Sequence, residues 1–588
     1  MLHISFLLSV LFCSTDSIEI IVRQTENGPI GGFRDESLPS KFVEQYLGVP
    51  YAKKPVGNLR FERPRRHQRW SAVLDATNLR PACLQTDMEY VKLHYPEFHQ
   101  SDEDCLYLNI YVPQVTDSQK PLAVLVYIHG GSNEGGMGAM LRGDILAAHE
   151  QIIVINFNYR LYALGFLSLH DKDLPGNYGL WDQVGALTWV QENIHHFGGD
   201  PRRVTIVGHS AGAMNVGVLM VSPLAKGLYR HAVMMSGGAL SYWGAMTNHL
   251  QDKFKEPIKR YIQNLSCERD TVAKIKKCLK TLDSHDFLGY SKYNRPSAKM
   301  LPFPIAIDNE ILEDFPSQLL QDNKSHAHSV MLGFTKDESI ELVWHYKDYM
   351  QYYDYLFHID DLKRRLVDII NILAPYQHIS EDFLLYEYLN WHDPENTDEL
   401  LQSYSELDMD SSYAAPGILT ADLLSKDLHR KVYVYSFEYN FPNADGKWKY
   451  GIEHGRDIFY LFGLPLVGHA RFNFTDEDRK MSRYMMKLYG DFVKTGTLQL
   501  PTSPGQDVET YNSKSKAYLK YFNNDDGSAN ISVFHSYRPR RMYFWNSLIG
   551  GAVCKSNATL IYSHLIIYIV CALTFGRHIL TLLEIAWA

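Results

Sequence analysis

Between residues 122 and 237 two kinds of hydrophobic pattern alternate along the chain. Leu122 to Ile128, Ile152 to Asn156 and Arg203 to Val207 are mostly apolar without alternation, and Val330 to Leu332 and Val432 to Tyr435 repeat this later. A strand with one wet face alternates polar and apolar residues, so runs lacking that alternation predict strands covered on both faces. Leu180, Val184, Leu187, Val190, Ile194 and Phe197 instead recur at helical spacing. Doubly covered strands joined through helices predict an α/β fold with a central, mostly parallel sheet flanked by helices. In such sheets the chemistry sits at the carboxyl ends of the strands. The stretch from 240 to 430 is richer in helical signals and long connections, and reads as helical insertions over the same sheet. Residues 18–549 are therefore expected to form one α/β unit, with 45% hydrophobic residues over the chain to fill its core.

The two ends depart from this pattern. Residues 1–17 are a short apolar run followed by small polar residues, as in a secretory signal peptide, although no Lys or Arg leads it. Residues 550–588 are again largely apolar. One reading is a single transmembrane helix with a very short tail. Another is a removed tail that signals a lipid (GPI) anchor, with Gly550-Gly-Ala552 as the attachment site. A buried terminal helix is the third. Arg577 inside a spanning helix is costly unless it marks the helix end. The first two place the protein in the secretory pathway, extracellular or tethered at the cell surface.

Five Asn-x-Ser/Thr sequons, at Asn264, Asn323, Asn473, Asn530 and Asn557, fit a glycosylated surface. Of the seven cysteines, Cys83 and Cys105 bracket one segment and Cys267 and Cys278 another, which suits an oxidising compartment. There is no Cys-x-x-Cys, so neither a zinc site nor a redox site is expected, and no cofactor is implied. The net charge of −9 is spread along the chain, which argues against nucleic acid as a partner. The short basic clusters Arg63-Pro-Arg-Arg66 and Arg538-Pro-Arg-Arg541 read as solvated surface.

Gly208-His-Ser-Ala-Gly212 directly follows the apolar run ending at Val207, and the helical pattern Met214, Val218, Leu219 follows it. A strand, a sharp turn and a helix are what a nucleophile elbow needs. Small residues must flank the serine, and the helix amides then face developing negative charge. Such a pentapeptide arises by chance often enough that this context, not the motif, makes Ser210 a candidate nucleophile. A serine needs a base, and the base an orienting carboxylate. With 25 histidines in the chain, order along the sequence does not choose among them.

Several strings resemble the type-B carboxylesterase and cholinesterase family, an α/β-hydrolase family. They include Tyr46-Leu-Gly-Val-Pro-Tyr-Ala52, Glu103-Asp-Cys-Leu-Tyr-Leu-Asn109, Asn158-Tyr-Arg160, Gly176-Asn-Tyr-Gly-Leu-Trp-Asp-Gln183 and Phe197-Gly-Gly-Asp-Pro201. The resemblance runs from about residue 20 to 545. It implies that Ser210 is the nucleophile, that Glu338 in Gly333-Phe-Thr-Lys-Asp-Glu-Ser339 is the acid, and that His454 in Gly451-Ile-Glu-His-Gly-Arg-Asp457 is the base. It implies an oxyanion hole from the amides of Gly131, Ser132 and Ala211. It pairs Cys83 with Cys105 and Cys267 with Cys278, and makes Arg60–Glu103 and Arg160–Asp182 structural ion pairs. The family's enzymes usually carry a third glycine where Ser132 stands, so a positive φ there would strain this chain. Ser339 replaces a common glycine, and His209 stands where esterases often have Glu.

The activity so implied is hydrolysis of a small-molecule carboxylic ester through an acyl-enzyme. Choline esters are not favoured. Cholinesterases place a tryptophan in the first disulfide loop to hold a quaternary ammonium, whereas the segment from Cys83 to Cys105 has Tyr90, Tyr95 and Phe98 but no Trp. The same family contains neuroligins, which bind cell-surface partners with this fold and lack the elbow serine. Gly130-Gly-Ser132, Gly143-Asp-Ile-Leu-Ala-Ala148 and Ala414-Ala-Pro-Gly-Ile-Leu-Thr-Ala-Asp422 look neuroligin-like, so a non-enzymatic adhesion protein is the alternative. Homodimerisation through C-terminal helices is a further implication of the family. Cys554, without an evident partner, either leaves with the tail or bridges two chains.

Overall fold

A computed structural model describes residues 19–549 apart from 39–40, 86–90, 93–99, 115–119, 245–247, 290–299, 354–355, 374–380, 441–450 and 469–471. The expected signal segment 1–17, the anchor segment 550–588 with Cys554 and Asn557, and Tyr90, Tyr95 and Phe98 lie outside the described residues. Among the described residues no helix is long and apolar enough to cross a membrane.

Among the described residues the apolar runs become five strands of one thirteen-stranded sheet. Its main strands, in chain order, are β1 (Ile20–Gln24), β2 (Pro29–Leu38), β3 (Lys41–Pro50), β4 (Tyr107–Pro113), β5 (Leu122–Ile128) and β6 (Ile153–Phe157). They continue as β7 (Gly199–His209), β8 (His231–Met235), β9 (Ser329–Thr335), β10 (Lys431–Phe437), β11 (Ala517–Asn523) and β12 (Ala529–His535). Their order across the sheet is β1-β2-β3-β4-β6-β5-β7-β8-β9-β10-β11-β12, and the short strand Leu74–Asp75 adds to β2. Every neighbouring pair from β6 to β11 is parallel, as is the short Leu74–Asp75 pairing with β2, while the other pairs along that order are antiparallel. The sheet is thus parallel where helices cover both faces and antiparallel towards its edges.

Strand β5 shows why its apolar run is continuous. Val124, Val126 and Ile128 belong to one buried cluster, and Ala123, Leu125 and Tyr127 belong to a second. Side chains alternate across a strand, so the two clusters lie on opposite faces of the sheet. The helical spacing from Leu180 to Phe197 becomes helix α1 (Tyr178–Asn193), which tightens into a 3₁₀ turn at Ile194–Phe197. Between β8 and β9, and again between β9 and β10, helices such as Asn248–Asn264 and Thr397–Met409 are inserted, so the 240–430 region sits between strands of a single sheet.

The second basic cluster is not the solvated surface expected of it. Arg538 donates to Asp410 Oδ1 at 3.0 Å, and Arg541 pairs with Glu406 at 2.6 Å and with Asp410 Oδ2 at 3.4 Å. The Arg541 guanidinium also stacks 4.6 Å from the Tyr388 ring. Asp410 is fully buried at the start of a π-helical turn, and a buried carboxylate requires opposite charge beside it. The first cluster is exposed as expected, with Arg63 paired to Glu310 and lying over Trp181, and Arg66 paired to Glu192. Charge spacing along the sequence does not reveal partners that arrive from 100 or more residues away.

Candidate active site

Strand β7 ends at His209, and helix α2 (Ala211–Val221) starts one residue after Ser210. The turn between them is the elbow the sequence predicts. Ser210 has φ 57° and ψ −125°, a conformation L-residues seldom adopt. Ser210 N–H donates to the carbonyl of Met235 at 2.8 Å, which ties the turn to the end of β8. The flanking glycines are required by space. A Cβ on Gly208 would lie 2.2 Å from the Gly212 carbonyl oxygen, and one on Gly212 would lie 2.1 Å from the Ile128 oxygen.

The sheet order brings the other two candidates together. Glu338 follows β9 and His454 lies in the connection after β10, and these strands are neighbours. Their connections are joined beside both residues: Asp337 N–H donates to the Ile452 carbonyl at 3.1 Å, and Ile452 N–H donates to Asp337 Oδ2 at 3.0 Å. His454 Nδ1 then lies 2.6 Å from Glu338 Oε2, while Glu338 Oε1 accepts from Thr335 N–H at 2.7 Å. Burial alone would lower the His454 pKa. The charge and hydrogen bond of Glu338 reverse that, so the imidazole is raised above its ordinary 6.5. With Nδ1 donating to the carboxylate, Nε2 is the nitrogen left to receive a proton. His209, beside the serine, is buried with its ring 4.5 Å from that of His454. It places an imidazole beside His454 where the family resemblance implies a carboxylate in many esterases.

The expected oxyanion residues lie in two places. Ala211 is the first residue of α2, and Gly131 and Ser132 lie in the turn after β5. That turn approaches the serine closely: a Cβ on Gly130 would be 2.9 Å from Ser210 Cβ. It is braced from below by residues to which sequence reasoning gave no role. Tyr159 donates to the His129 carbonyl at 2.8 Å and its ring stacks on His129 at 4.4 Å. Asn133 and Asn215 exchange amide hydrogen bonds at 3.0 and 3.4 Å. Tyr159 sits inside the family-like string Asn158-Tyr-Arg160, and that string was the only signal for it. Burial pushes the His129 imidazole down to about 4, so it stays neutral beneath the turn.

Ser132 does adopt the positive φ that a third glycine would tolerate, at 58°, with Gly131 before it at 103°. The Ser132 side chain is exposed, so removing it costs little packing. Ser132→Gly is therefore expected to stabilise the fold by about 1 kcal/mol, because the left-handed region is unfavourable for a residue with a Cβ. The urea midpoint of the variant against the parent checks this. Ser339, the other departure, donates to Asp408 Oδ2 at 2.7 Å and so anchors the loop carrying Glu338 to the inserted helix Thr397–Met409.

Asp457, also missed from sequence, sits in the first turn of helix α3 (Arg456–Leu461), three residues after His454. Its Oδ2 accepts from Tyr435 at 2.8 Å, and among the described residues its Oδ1 has no hydrogen-bond partner. Burial first, and the Glu338 charge second, push its carboxyl up from 3.8 to about 7. Between those values the folded protein keeps a proton that the unfolded chain has lost, so this group makes stability fall as pH rises from about 4 to about 7. Asp457→Asn mimics the protonated acid and should remove that slope. The variant is expected to gain on the order of 4 kcal/mol relative to wild type above pH 7 and almost nothing near pH 4. Denaturant unfolding at the two pH extremes measures it.

Both disulfides are formed, Cys83–Cys105 and Cys267–Cys278, with Cα separations of 4.9 and 5.6 Å. Arg60 links the two segments: it grips Glu103 through two bonds of 2.6 and 2.7 Å and donates to the carbonyls of Leu279 and Leu282. Arg160 and Asp182 form a second two-bond pair, buried at 2.7 Å. Of the sequon residues within the described part, Asn264, Asn323 and Asn473 are exposed, and Asn530 is half-buried with its side-chain amide bonded to Asn524.

The fold and elbow are those of an α/β-hydrolase. The profile of the Carboxylesterase family matches residues 19–545, and the chain belongs to that family. It is 30% identical to acetylcholinesterase of Bungarus fasciatus over 537 residues, covering 88% of this chain and 85% of the relative. It is 31% identical to carboxylesterase 5A of Canis lupus familiaris over 559 residues, 91% of each. Mouse neuroligin-2 is also 31% identical, over 561 residues, but there the match covers 86% of this chain and only 65% of the relative. The chain thus spans less than two thirds of the length of the neuroligin-2 relatives it matches.

Proposed function

We propose that this protein is a secreted or membrane-tethered serine carboxylic ester hydrolase in which Ser210 is the nucleophile, His454 the general base and Glu338 the residue that orients it. Ser210 Oγ attacks the ester carbonyl as His454 Nε2 takes its proton. The tetrahedral oxyanion is held by the amides of Ala211 and of the Gly131-Ser132 turn. His454 then returns the proton to the departing alcohol, leaving an acyl-enzyme. Water, deprotonated by the same imidazole, releases the acid. The steps use only the chain's own groups and water. The observation that carries this reading is the coexistence, in one chain, of a strained elbow serine with a 2.6 Å His454–Glu338 pair. The two disulfides and the exposed sequons support passage through an oxidising secretory compartment. With no tryptophan between Cys83 and Cys105, a neutral or lipid-like ester is the substrate class we favour.

A neuroligin-like adhesion role is the second reading. The neuroligin relatives at 31% identity favour it, as does Ser132 in a turn where catalysis would prefer glycine. Turnover of p-nitrophenyl acetate and butyrate by the purified protein decides between them. Saturable hydrolysis supports the enzyme. Rates no higher than buffer with both esters would leave the adhesion reading in place.

A further inference from the structure

We propose that Glu26, His195 and His196 form a zinc(II) site that fastens the amino-terminal hairpin to the end of α1, independently of any ester hydrolysis. Among the described residues these three bring one nitrogen or oxygen each within 4.8 Å of one another. Glu26 lies in the turn between β1 and β2, and the histidines lie in the 3₁₀ turn Ile194–Phe197 that extends α1. The carboxylate is held in place from its own backbone: Glu26 N–H donates to Asn193 Oδ1 at 2.8 Å. The site is at the opposite end of β7 from Ser210. That strand is 11 residues long, which puts roughly 30 Å between the two.

The spacing is that of metal ligands more than of a hydrogen bond. Among the described residues His196 Nε2, a buried atom, has no hydrogen-bond partner, and it faces Glu26 Oε1 across 3.5 Å. That gap is too long for a good N–H···O bond. Two ligands of one tetrahedral zinc, each about 2.0–2.2 Å from the metal, stand about 3.3–3.5 Å apart. The His195 ring is 3.9 Å from the His196 ring, so its nitrogen can complete a third position. Arg69 reaches towards the other carboxylate oxygen, Oε2, at 3.7 Å and leaves Oε1 facing the imidazoles. Two imidazoles and one carboxylate suit zinc among the common divalent cations, with water in the remaining position. The sequence expectation of no metal rested on cysteine spacing, which cannot report a site built of histidine and glutamate. Because β1 is, among the described residues, an edge strand paired only to β2, a metal across this turn would hold the hairpin against α1.

The test is a calorimetric zinc(II) titration of the full, chelator-treated chain beside His196→Ala and Glu26→Gln, with cobalt(II) absorption as a probe of tetrahedral coordination. We expect one zinc per wild-type chain, and binding weaker by at least about 10-fold in each variant. Zinc should raise the thermal midpoint of the wild type and not that of the variants. Glu26 is exposed and His196 partly so, so both variants should unfold like wild type in chelator, and either one suffices for the comparison. Equal zinc affinity in wild type and variants would assign the ion to others of the 25 histidines and overturn the proposal. No measurable binding to the wild type would overturn it as well.

Discussion

Ser210→Ala is expected to lower kcat for p-nitrophenyl butyrate by about 10⁴-fold or more while leaving KM within a few-fold. The methyl group removes the attacking oxygen and nothing else in the site. Ester binding and any oxyanion contacts from the Gly131-Ser132 turn survive, so a residual rate above buffer is expected, of the kind that binding and oxyanion stabilisation alone provide. Folding should not suffer. Ser210 sits at φ 57°, and alanine meets the same backbone strain as serine there, neither more nor less. Equal rates in the parent and the variant, with both folded, would sink the nucleophile assignment and leave the elbow as an inherited backbone feature.

Glu338→Gln is expected to cost about 10⁴-fold in kcat, although only one oxygen becomes a nitrogen. The reason is a conflict among donors. Glu338 accepts from Thr335 N–H at 2.7 Å on one oxygen and from His454 Nδ1 at 2.6 Å on the other. An amide offers one acceptor and one donor, so it can satisfy only one of them. If its oxygen faces Thr335, its NH₂ faces Nδ1, and the imidazole must carry its proton on Nε2. In that tautomer it cannot accept the serine proton. The pH profile separates this effect from simple misfolding. In the parent, kcat/KM should rise with pH through a His454 pKa above 6.5, because the base must be neutral to act. Without the carboxylate, burial, the largest influence, is opposed only by the weaker charges of Glu341 and Asp457, and the limb should move to lower pH. A large loss of rate with an unmoved limb would argue against Glu338 as the partner of His454.

Much of the architecture was legible along the chain because it is set by local periodicity. Apolar runs without alternation became β5, β6 and β7, and helical spacing from Leu180 became α1. The elbow was legible for the same reason: Gly208 and Gly212 are demanded by contacts within a few residues or with the adjoining strand. The paired cysteines came from the family resemblance, not from any local rule.

Other features depended on which distant strands became neighbours. Glu338 and His454 are 116 residues apart and meet because β9 pairs with β10. The burial of Asp457 beside that pair, and the recruitment of Arg538 and Arg541 to Asp410, are consequences of the same packing. Glu26 meets His195 and His196 only because the first hairpin lies against the end of α1. The periods of the elements and the chemistry of the turns are written along the chain, since they follow from backbone sterics and side-chain alternation over a few residues. The partners of its buried charges were decided by the tertiary structure, because desolvation and Coulomb attraction act through space and depend on sheet order.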